Sequence, residues 1–274
     1  MIEYRAASIG QMAFQVLSEN REAFVIGTTS HGVFIRAGDR IIFISFEAYR
    51  GPLTLTLNPP TDRLRTVHVG ASATIASGRL VLPAADTLIS AEHADVWCPS
   101  DAACPVRTPD ERFESLCYLA REVLACRGDV GFGALLMLPT ILQLRESLCR
   151  GLSYAAEIAC GLLGTGRGLT PSGDDVVMGL LLMLNRWQAA LWPDGDLDPL
   201  NRRVVESAYT RTTTLSANLI ECAALGLADE RLINVADCIL TGSPRESECV
   251  PHVLGWGASS GIDALVGMAL AVTC

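Results

Sequence analysis

One stretch, Gly164-Thr165-Gly166-Arg167-Gly168-Leu169-Thr170-Pro171-Ser172-Gly173-Asp174-Asp175, runs directly into the apolar segment 176–184. Glycine tolerates backbone angles that other residues avoid, and Thr, Pro and Ser side by side are typical of a helix start. We therefore predict a glycine-rich loop that enters a buried helix, with a Thr170 or Ser172 hydroxyl as its cap. The N–H groups at such a helix start form a natural site for an anion.

The same pattern returns near the C-terminus, where residues 260–267 align with residues 172–179. Both segments read Ser-Gly-x-Asp-x-h-h-Gly, with h an apolar residue, and the offset from 172 to 260 is 88 residues. We predict two equivalent helix starts that face one site. The alternative is capping alone, because Ser-x-x-Asp is a variant of the capping box. Gly179 and Gly267 would then serve only the close packing of helices.

The composition restricts the functions that are possible. The chain has 274 residues, half of them hydrophobic and 19% charged, which is enough for a large core in one or two domains. All 21 basic residues are arginine. The absence of lysine excludes a Schiff-base lysine and a Gly-Lys-Ser/Thr phosphate loop, so arginine or backbone N–H groups must hold any anion. The net charge of −9 argues against nucleic acid or an anionic membrane as a partner.

Several features favour a cytoplasmic protein. The N-terminus lacks a long apolar segment typical of a signal peptide, and uncharged apolar runs such as 176–184 are far shorter than a membrane span. The ten cysteines are scattered without a Cys-x-x-Cys pair, which fits a reducing compartment better than a disulfide framework.

The first part of the chain predicts β-structure. After a short helix at about 6–19, strands are expected at 23–27, 32–35, 40–44 and 53–57, with two more between 74 and 89. Ser30-His31-Gly32 and Ala37-Gly38-Asp39 are typical of hairpin turns. Short, evenly spaced strands indicate a small barrel or sandwich. We therefore predict an α+β protein, with a β-rich domain at 1–107 and a larger, mostly helical domain at 108–274.

Helices dominate the second part. They are predicted at 109–127, 139–150, 152–163, 172–190, 199–210, 215–225 and 230–240, with a last helix from about 260. The apolar face of the first is expected to contain Phe113, Leu116, Cys117, Ala120, Val123 and Leu124. A second glycine-rich segment, 127–133, is interpreted as a connector, and residues 241–251 as a loop.

A third helix junction carries polar groups that suit an anion. Arg211-Thr212-Thr213-Thr214-Leu215-Ser216 combines one arginine with four hydroxyl side chains, which fits a phosphate or carboxylate site. An ordinary threonine-rich N-cap explains the same residues equally well. Arg167, inside the first loop, is a second candidate for contact with an anion.

Three carboxylates lie at the predicted helix starts. Asp174, Asp175 and Asp263 are favoured there by the helix dipole, and together they are suited to Mg²⁺ or to general-base chemistry. Capping needs at most one residue of the Asp174–Asp175 pair. Asp174 is therefore the better candidate for function, and Asp175 and Asp263 are the better candidates for capping.

These patterns define a predicted site. Its expected catalytic residues are Asp174, Asp175 and Arg211. The expected substrate-binding residues are Gly166, Arg167, Gly168, Thr170, Ser172, Gly173, Thr212, Thr213, Ser259, Ser260, Gly261 and Asp263. No metal is assigned, although Mg²⁺ is possible, and the expected ligand is a small anion.

Three motifs together resemble a bacterial family, long carried as a domain of unknown function, that includes a subunit of the oxamate carbamoyltransferase of anaerobic allantoin degradation. The motifs are Leu-Thr-Pro-Ser-Gly-Asp-Asp at 169–175, Arg-Thr-Thr-x-x-Ser-Ala at 211–217 and Gly-x-Ser-Ser-Gly-x-Asp-x-Leu-x-Gly at 257–267. The resemblance covers about 160–270. Proline is common in that family where this chain has Arg167.

The resemblance implies carbamoyl transfer between an oxamate-type acceptor and phosphate, within a multi-subunit enzyme of purine catabolism. Partner protein subunits are therefore expected. Two alternatives stay open. One is a non-catalytic regulatory subunit that binds a metabolite or nucleotide, and the other is a Mg²⁺-dependent hydrolase or phosphotransferase that uses the aspartates.

Overall fold

The structure, a computed structural model, describes residues 1–58, 61–102, 105–127 and 137–273. The chain forms two compact units, Met1–Pro99 and Ser100–Cys274. The first is rich in β-strands and the second is helical, which confirms the predicted α+β class. That the units are independent domains stays a prediction.

The first unit is a closed barrel of eight strands. They follow the order β5-β4-β3-β2-β6-β7-β8-β1, and β1 closes the barrel by pairing with β5. A ninth strand runs parallel to the second half of β1. The elements are β1 Ile2–Gly10, α1 Gln11–Glu19, β2 Glu22–Thr28, β3 Gly32–Ala37, β4 Arg40–Ser45, β5 Thr54–Leu57, β6 Ser72–Ala76, β7 Arg79–Leu82, β8 Thr87–Ser90 and β9 Asp95–Trp97.

Alternating residues of these strands fill the barrel. Val25, Val33, Ile35, Ile44 and Leu55 are buried, because successive side chains of a strand point to opposite faces. The two predicted hairpin turns are confirmed, since β2 and β4 both pair antiparallel with β3.

Three details of the first unit differ from the sequence predictions. Residues 2–10 form a strand, and the helix begins only at Gln11. Three strands, instead of two, lie between 72 and 90. The short strand β9 was not predicted. The pairing of β1 with β8 and β9 joins residues 85 to 87 positions apart, which local pattern does not reveal.

The second unit is built around one helix, α5 Ser172–Arg186, which is buried over most of its length. Every residue from Ser172 to Leu184 is buried, so all faces of this helix are packed inside the unit over that length. The other described helices of this unit contribute to the same hydrophobic core. They are α2 Pro109–Arg127, α3 Leu138–Leu148, α4 Leu152–Leu162, α6 Gln188–Leu191, α7 Asp198–Arg211, α8 Thr214–Ala223, α9 Glu230–Thr241, α10 Glu246–Gly255 and α11 Ser260–Val272.

The helices α5 and α11 cross in direct backbone contact. A Cβ atom added at Gly179 would lie 2.0 Å from the carbonyl oxygen of Ala264. One added at Gly267 would lie 1.9 Å from the carbonyl oxygen of Val176. Both glycines of the repeated motif are therefore required for this packing, as the packing interpretation predicted.

Two predictions for the helical unit are wrong. Residues 246–255 form α10, where a loop was predicted across 241–251. The apolar face of α2 is also displaced, because Leu116, Leu119 and Val123 pack inward while 55% of Phe113 is exposed. The predicted connector at 127–133 lies, from residue 128 onward, outside the described residues.

The described residues show two further features, in the length of their helices and in the state of their cysteines. None of their helices is long and apolar enough to cross a membrane. Eight of the ten cysteines fall within the described ranges, and all eight are free thiols.

We predict that Gly179→Ala destabilises the helical unit by about 3 kcal/mol, because the added methyl group must push α5 away from α11. Gly161→Ala is the matched control, since this exposed glycine of α4 has no atom within 4 Å of the added Cβ. The control should be neutral or stabilising by up to about 1 kcal/mol. Urea denaturation followed by circular dichroism measures both. Equal stability of the two variants would contradict the direct helix contact.

Candidate functional site

The three sequence motifs meet at one place in the helical unit. Thr170 Oγ1 lies 3.0 Å from Ser260 Oγ, which joins the first motif to the third. Thr213 Oγ1 donates a hydrogen bond of 2.6 Å to the carbonyl oxygen of Leu169, which joins the second motif to the first. The start of α5, the α7–α8 junction and the start of α11 are therefore neighbours.

The buried carboxylate of Asp174 ties these parts together. The backbone N–H of Gly164 donates to its Oδ1 at 2.7 Å, and the Thr212 hydroxyl donates to its Oδ2. Burial raises the pKa of Asp174, while the hydrogen bonds from Thr212 and Gly164 lower it. Asp174 thus connects the first residue of the glycine-rich loop with the junction between α7 and α8.

The loop needs glycine for its backbone path. Gly164, Gly166 and Gly168 have φ angles of +75°, +116° and +102°, which side chains strongly disfavour. A Cβ at Gly164 would also lie 2.4 Å from the carbonyl oxygen of Arg211. The loop therefore passes directly over the end of α7.

The centre of the loop presents unused hydrogen-bond donors. Residues 166–169 are exposed and Thr170 is half-buried. The backbone N–H groups of residues 166–170 donate to no acceptor among the described residues. Successive free N–H groups in a glycine-rich turn form a concave anion site. The exposed side chain of Arg167 lies within this run and forms no hydrogen bond or ion pair with a described residue.

The start of α8 lies beside this loop. Thr213 is its N-cap, and its Oγ1 accepts a hydrogen bond of 3.1 Å from the N–H of Ser216. The capping interpretation of this motif is therefore confirmed. Capping does not use the N–H groups of Thr214 and Leu215, which have no acceptor within the helix.

Arg211 is anchored beside the same junction. Its Nη1 donates a hydrogen bond of 2.6 Å to the carbonyl oxygen of Cys160 in α4. The residue is nevertheless exposed overall. Arg211 therefore fastens the end of α7 to α4 with one of its five N–H groups.

The capping prediction is wrong for α5 and α11. Their N-cap residues are Pro171 and Ser259, and neither helix start has a side-chain cap. The N–H of Gly173 donates to the carbonyl oxygen of Thr165, and that of Gly261 donates to the carbonyl oxygen of Trp256. Both N–H groups are thus engaged within the protein. Capping therefore does not explain why the carboxylates of Asp175 and Asp263 are buried at these helix starts.

Asp175 is a buried acid under the loop. Only 2% of it is exposed, and its Oδ2 has no hydrogen-bond partner among the described residues. Burial raises the pKa of Asp175 to about 8, and the nearby carboxylates of Asp263 and Asp174 also raise it. The Ser260 and Thr170 hydroxyls lower the pKa without cancelling the effect of burial. Asp175 is therefore mainly neutral at pH 7.

The three aspartates do not form a metal centre. Within the described ranges, no three His, Cys, Asp or Glu side chains are grouped so as to hold a metal ion. Asp174, Asp175 and Asp263 are instead packed into the contact between helices. The magnesium alternative gains no support from this geometry.

Sequence reasoning missed the main-chain contributors to the site. The N–H of Gly164 and the carbonyl oxygen of Leu169 fix the two ends of the loop, yet neither has a side chain that signals this role. Ser259 precedes α11 without capping it, while Ser260 contacts Thr170.

The region that contains these three motifs also matches a known protein family. Residues 162–272 match the model of a family described as oxamate carbamoyltransferase subunit AllH. The matched region contains the whole glycine-rich loop and all three motifs, and it confirms the resemblance that the motifs indicated. No solved structure matches the chain.

We predict that the stability of the protein falls as the pH rises from about 4 to about 8, because native Asp175 keeps a proton that the unfolded chain releases. The slope from this residue approaches about 1.4 kcal/mol per pH unit. Asp175→Asn should remove that contribution and flatten the curve, whereas the exposed control Asp101→Asn should not. Urea denaturation between pH 5 and pH 9 measures the slopes. Parallel curves for the wild type and Asp175→Asn would contradict a raised pKa.

Proposed function

We propose that the chain is a subunit of a carbamoyltransferase, the activity named in the description of the family that residues 162–272 match. In this proposal the loop 166–170 and the start of α8 bind the anionic group of a small substrate of the oxamate or carbamoyl phosphate type. Partner subunits would complete the enzyme.

One observation supports the proposed anion site. Five successive backbone N–H groups, 166–170, have no acceptor among the described residues, and they lie beside the open start of α8. The positive end of the helix dipole adds to their attraction for an anion. A chain without lysine needs such a site to hold phosphate or carboxylate.

Arginine supplies the charge in this site. Arg167 is exposed on the loop and is not committed to another described group. Its planar guanidinium suits a bidentate contact with carboxylate or phosphate. Arg211 has one N–H group bound to Cys160, which leaves other N–H groups for an anion at the same junction.

Asp174 and Asp175 have different roles in the proposed site. Asp174 is a positioning residue, because both of its oxygens accept hydrogen bonds that hold the loop against Thr212. Asp175, neutral at pH 7, adds no negative charge beneath an anion. Its Ser260 and Thr170 neighbours connect it to the loop.

Such a site would stabilise the negative charge that develops on the substrate during carbamoyl transfer. Carbamoyl transfer passes through a species with negative charge on the carbamoyl oxygen. Fixed N–H donors stabilise such an oxyanion without reorganising. The loop donors and Arg167 are the groups placed to do so.

Arg167→Ala should weaken the binding of oxamate and carbamoyl phosphate by about tenfold or more, since a hydrogen bond to a charged group contributes about 1.5–3 kcal/mol. The matched control is Arg202→Ala, an exposed arginine of α7 without a described partner. Isothermal titration calorimetry of the purified chain measures both affinities. Equal affinities in the two variants would contradict the loop site.

A second measurement separates the transferase from the regulatory alternative. The reconstituted assembly should lose carbamoyl transfer with Arg167→Ala in proportion to the lost affinity. Unchanged turnover beside weakened binding would show a non-catalytic site on this chain.

A further inference from the structure

Two buried polar atoms at the candidate site have no hydrogen-bond partner among the described residues. They are Oδ2 of Asp175, in the first turn of α5, and Oγ of Ser216, in the first turn of α8. Only 2% of Asp175 and 1% of Ser216 are exposed, so neither atom faces bulk solvent. Because a buried polar group normally has a partner, these two unpaired atoms indicate where a bound molecule supplies one.

Both atoms adjoin the parts of the unit that hold the glycine-rich loop. The carboxyl group of Asp175 lies beside the hydroxyls of Thr170 and Ser260, which are 3.0 Å apart. Thr170 is the last residue of the run of unused N–H groups. The Ser216 hydroxyl lies close enough to Asp174 to lower the pKa of that carboxylate, yet it forms no hydrogen bond with a described residue. The two unpaired atoms therefore belong to the buried side of the proposed anion site.

The charges around these atoms disfavour a negatively charged partner. The carboxyl groups of Asp174 and Asp263 are close enough to Asp175 to raise its pKa. They would repel a further negative charge brought beside them. The group that pairs with the two atoms is therefore uncharged, whereas the loop attracts an anion.

The hydrogen-bonding character of the two side chains narrows the partner further. A neutral carboxyl group and a hydroxyl group can each donate one hydrogen bond and also accept. A carboxamide matches both, since its oxygen accepts and its NH₂ group donates twice. An ionised carboxylate or phosphate can only accept. A carboxamide is therefore the best match for Asp175 and Ser216.

We propose that Asp175 and Ser216 bind the carboxamide end of a small substrate whose anionic end is held by the loop 166–170. The ligand class is a carbamoyl or carboxamide group next to an acidic group, as in carbamoyl phosphate and oxamate. This inference rests on the proposed function and deepens it, because it assigns two specificity-determining residues to the uncharged end of the substrate.

Oxamate and oxalate are a matched pair of probes, because oxalate differs only in having a second carboxylate in place of the carboxamide. Calorimetry of the full chain at pH 7 should show tighter binding of oxamate. Ser216→Ala and Asp175→Ala should each weaken oxamate binding by about fivefold and leave phosphate binding nearly unchanged. Asp175→Asn, which keeps a donor and an acceptor, should retain the preference for oxamate. The control is Ser147→Ala, since this equally buried serine of α3 already donates to the carbonyl oxygen of Leu144.

The outcomes separate this inference from the proposed function. Oxalate binding as tight as oxamate binding, or an unchanged oxamate affinity in either alanine variant, would overturn the assignment of the carboxamide. Phosphate binding that depends on Arg167 would then still support the loop site. Absence of binding of all three anions would overturn both proposals. Circular dichroism and retained phosphate binding confirm that each variant is folded with its loop intact.

Discussion

The buried carboxylate of Asp174 holds together the parts of the helical unit that form the candidate site. Its two oxygens accept hydrogen bonds from the Gly164 N–H and the Thr212 hydroxyl, which lie in segments nearly fifty residues apart. A buried carboxylate is costly unless such donors compensate for lost hydration. The loop between Gly164 and Thr170 is therefore fixed at its first residue, while Thr213 fixes it at Leu169. Between these anchors, the N–H groups of residues 166–168 donate to no described acceptor.

The repeated motif has its physical explanation in the contact of α5 with α11. Gly179 packs on Ala264 and Gly267 packs on Val176, and these four residues occupy equivalent positions in the two copies of the motif. In each helix, the absence of a Cβ atom at the glycine leaves room for the backbone of the other helix. The contact brings both helix starts together and buries Asp175 and Asp263 between them, with the consequence that Asp175 keeps its proton at neutral pH. Packing, and not capping, accounts for the repeat.

Much of this organisation could be predicted from sequence, because the signals are local. Alternating apolar residues predicted most barrel strands, and the run after Asp175 predicted the buried helix. The strand β1 was missed, since its partners lie far along the chain. Helix α10 was missed because Pro251 lies inside it, yet burial of Cys249 and Val253 favours the helix despite the lost N–H. The anchors of the loop are main-chain atoms of Gly164 and Leu169, and composition carries no signal for them.

Backbone amide exchange of Gly164, followed by nuclear magnetic resonance, tests most directly whether Asp174 holds the loop. In the wild type this amide should exchange slowly, since it donates to a buried carboxylate. In Asp174→Ala, exchange at Gly164 should accelerate by an order of magnitude or more, and oxamate affinity should fall with it. The amides of 177–184, inside α5, should stay protected. Unchanged exchange at Gly164 in this variant would contradict the role of Asp174 as the anchor of the site.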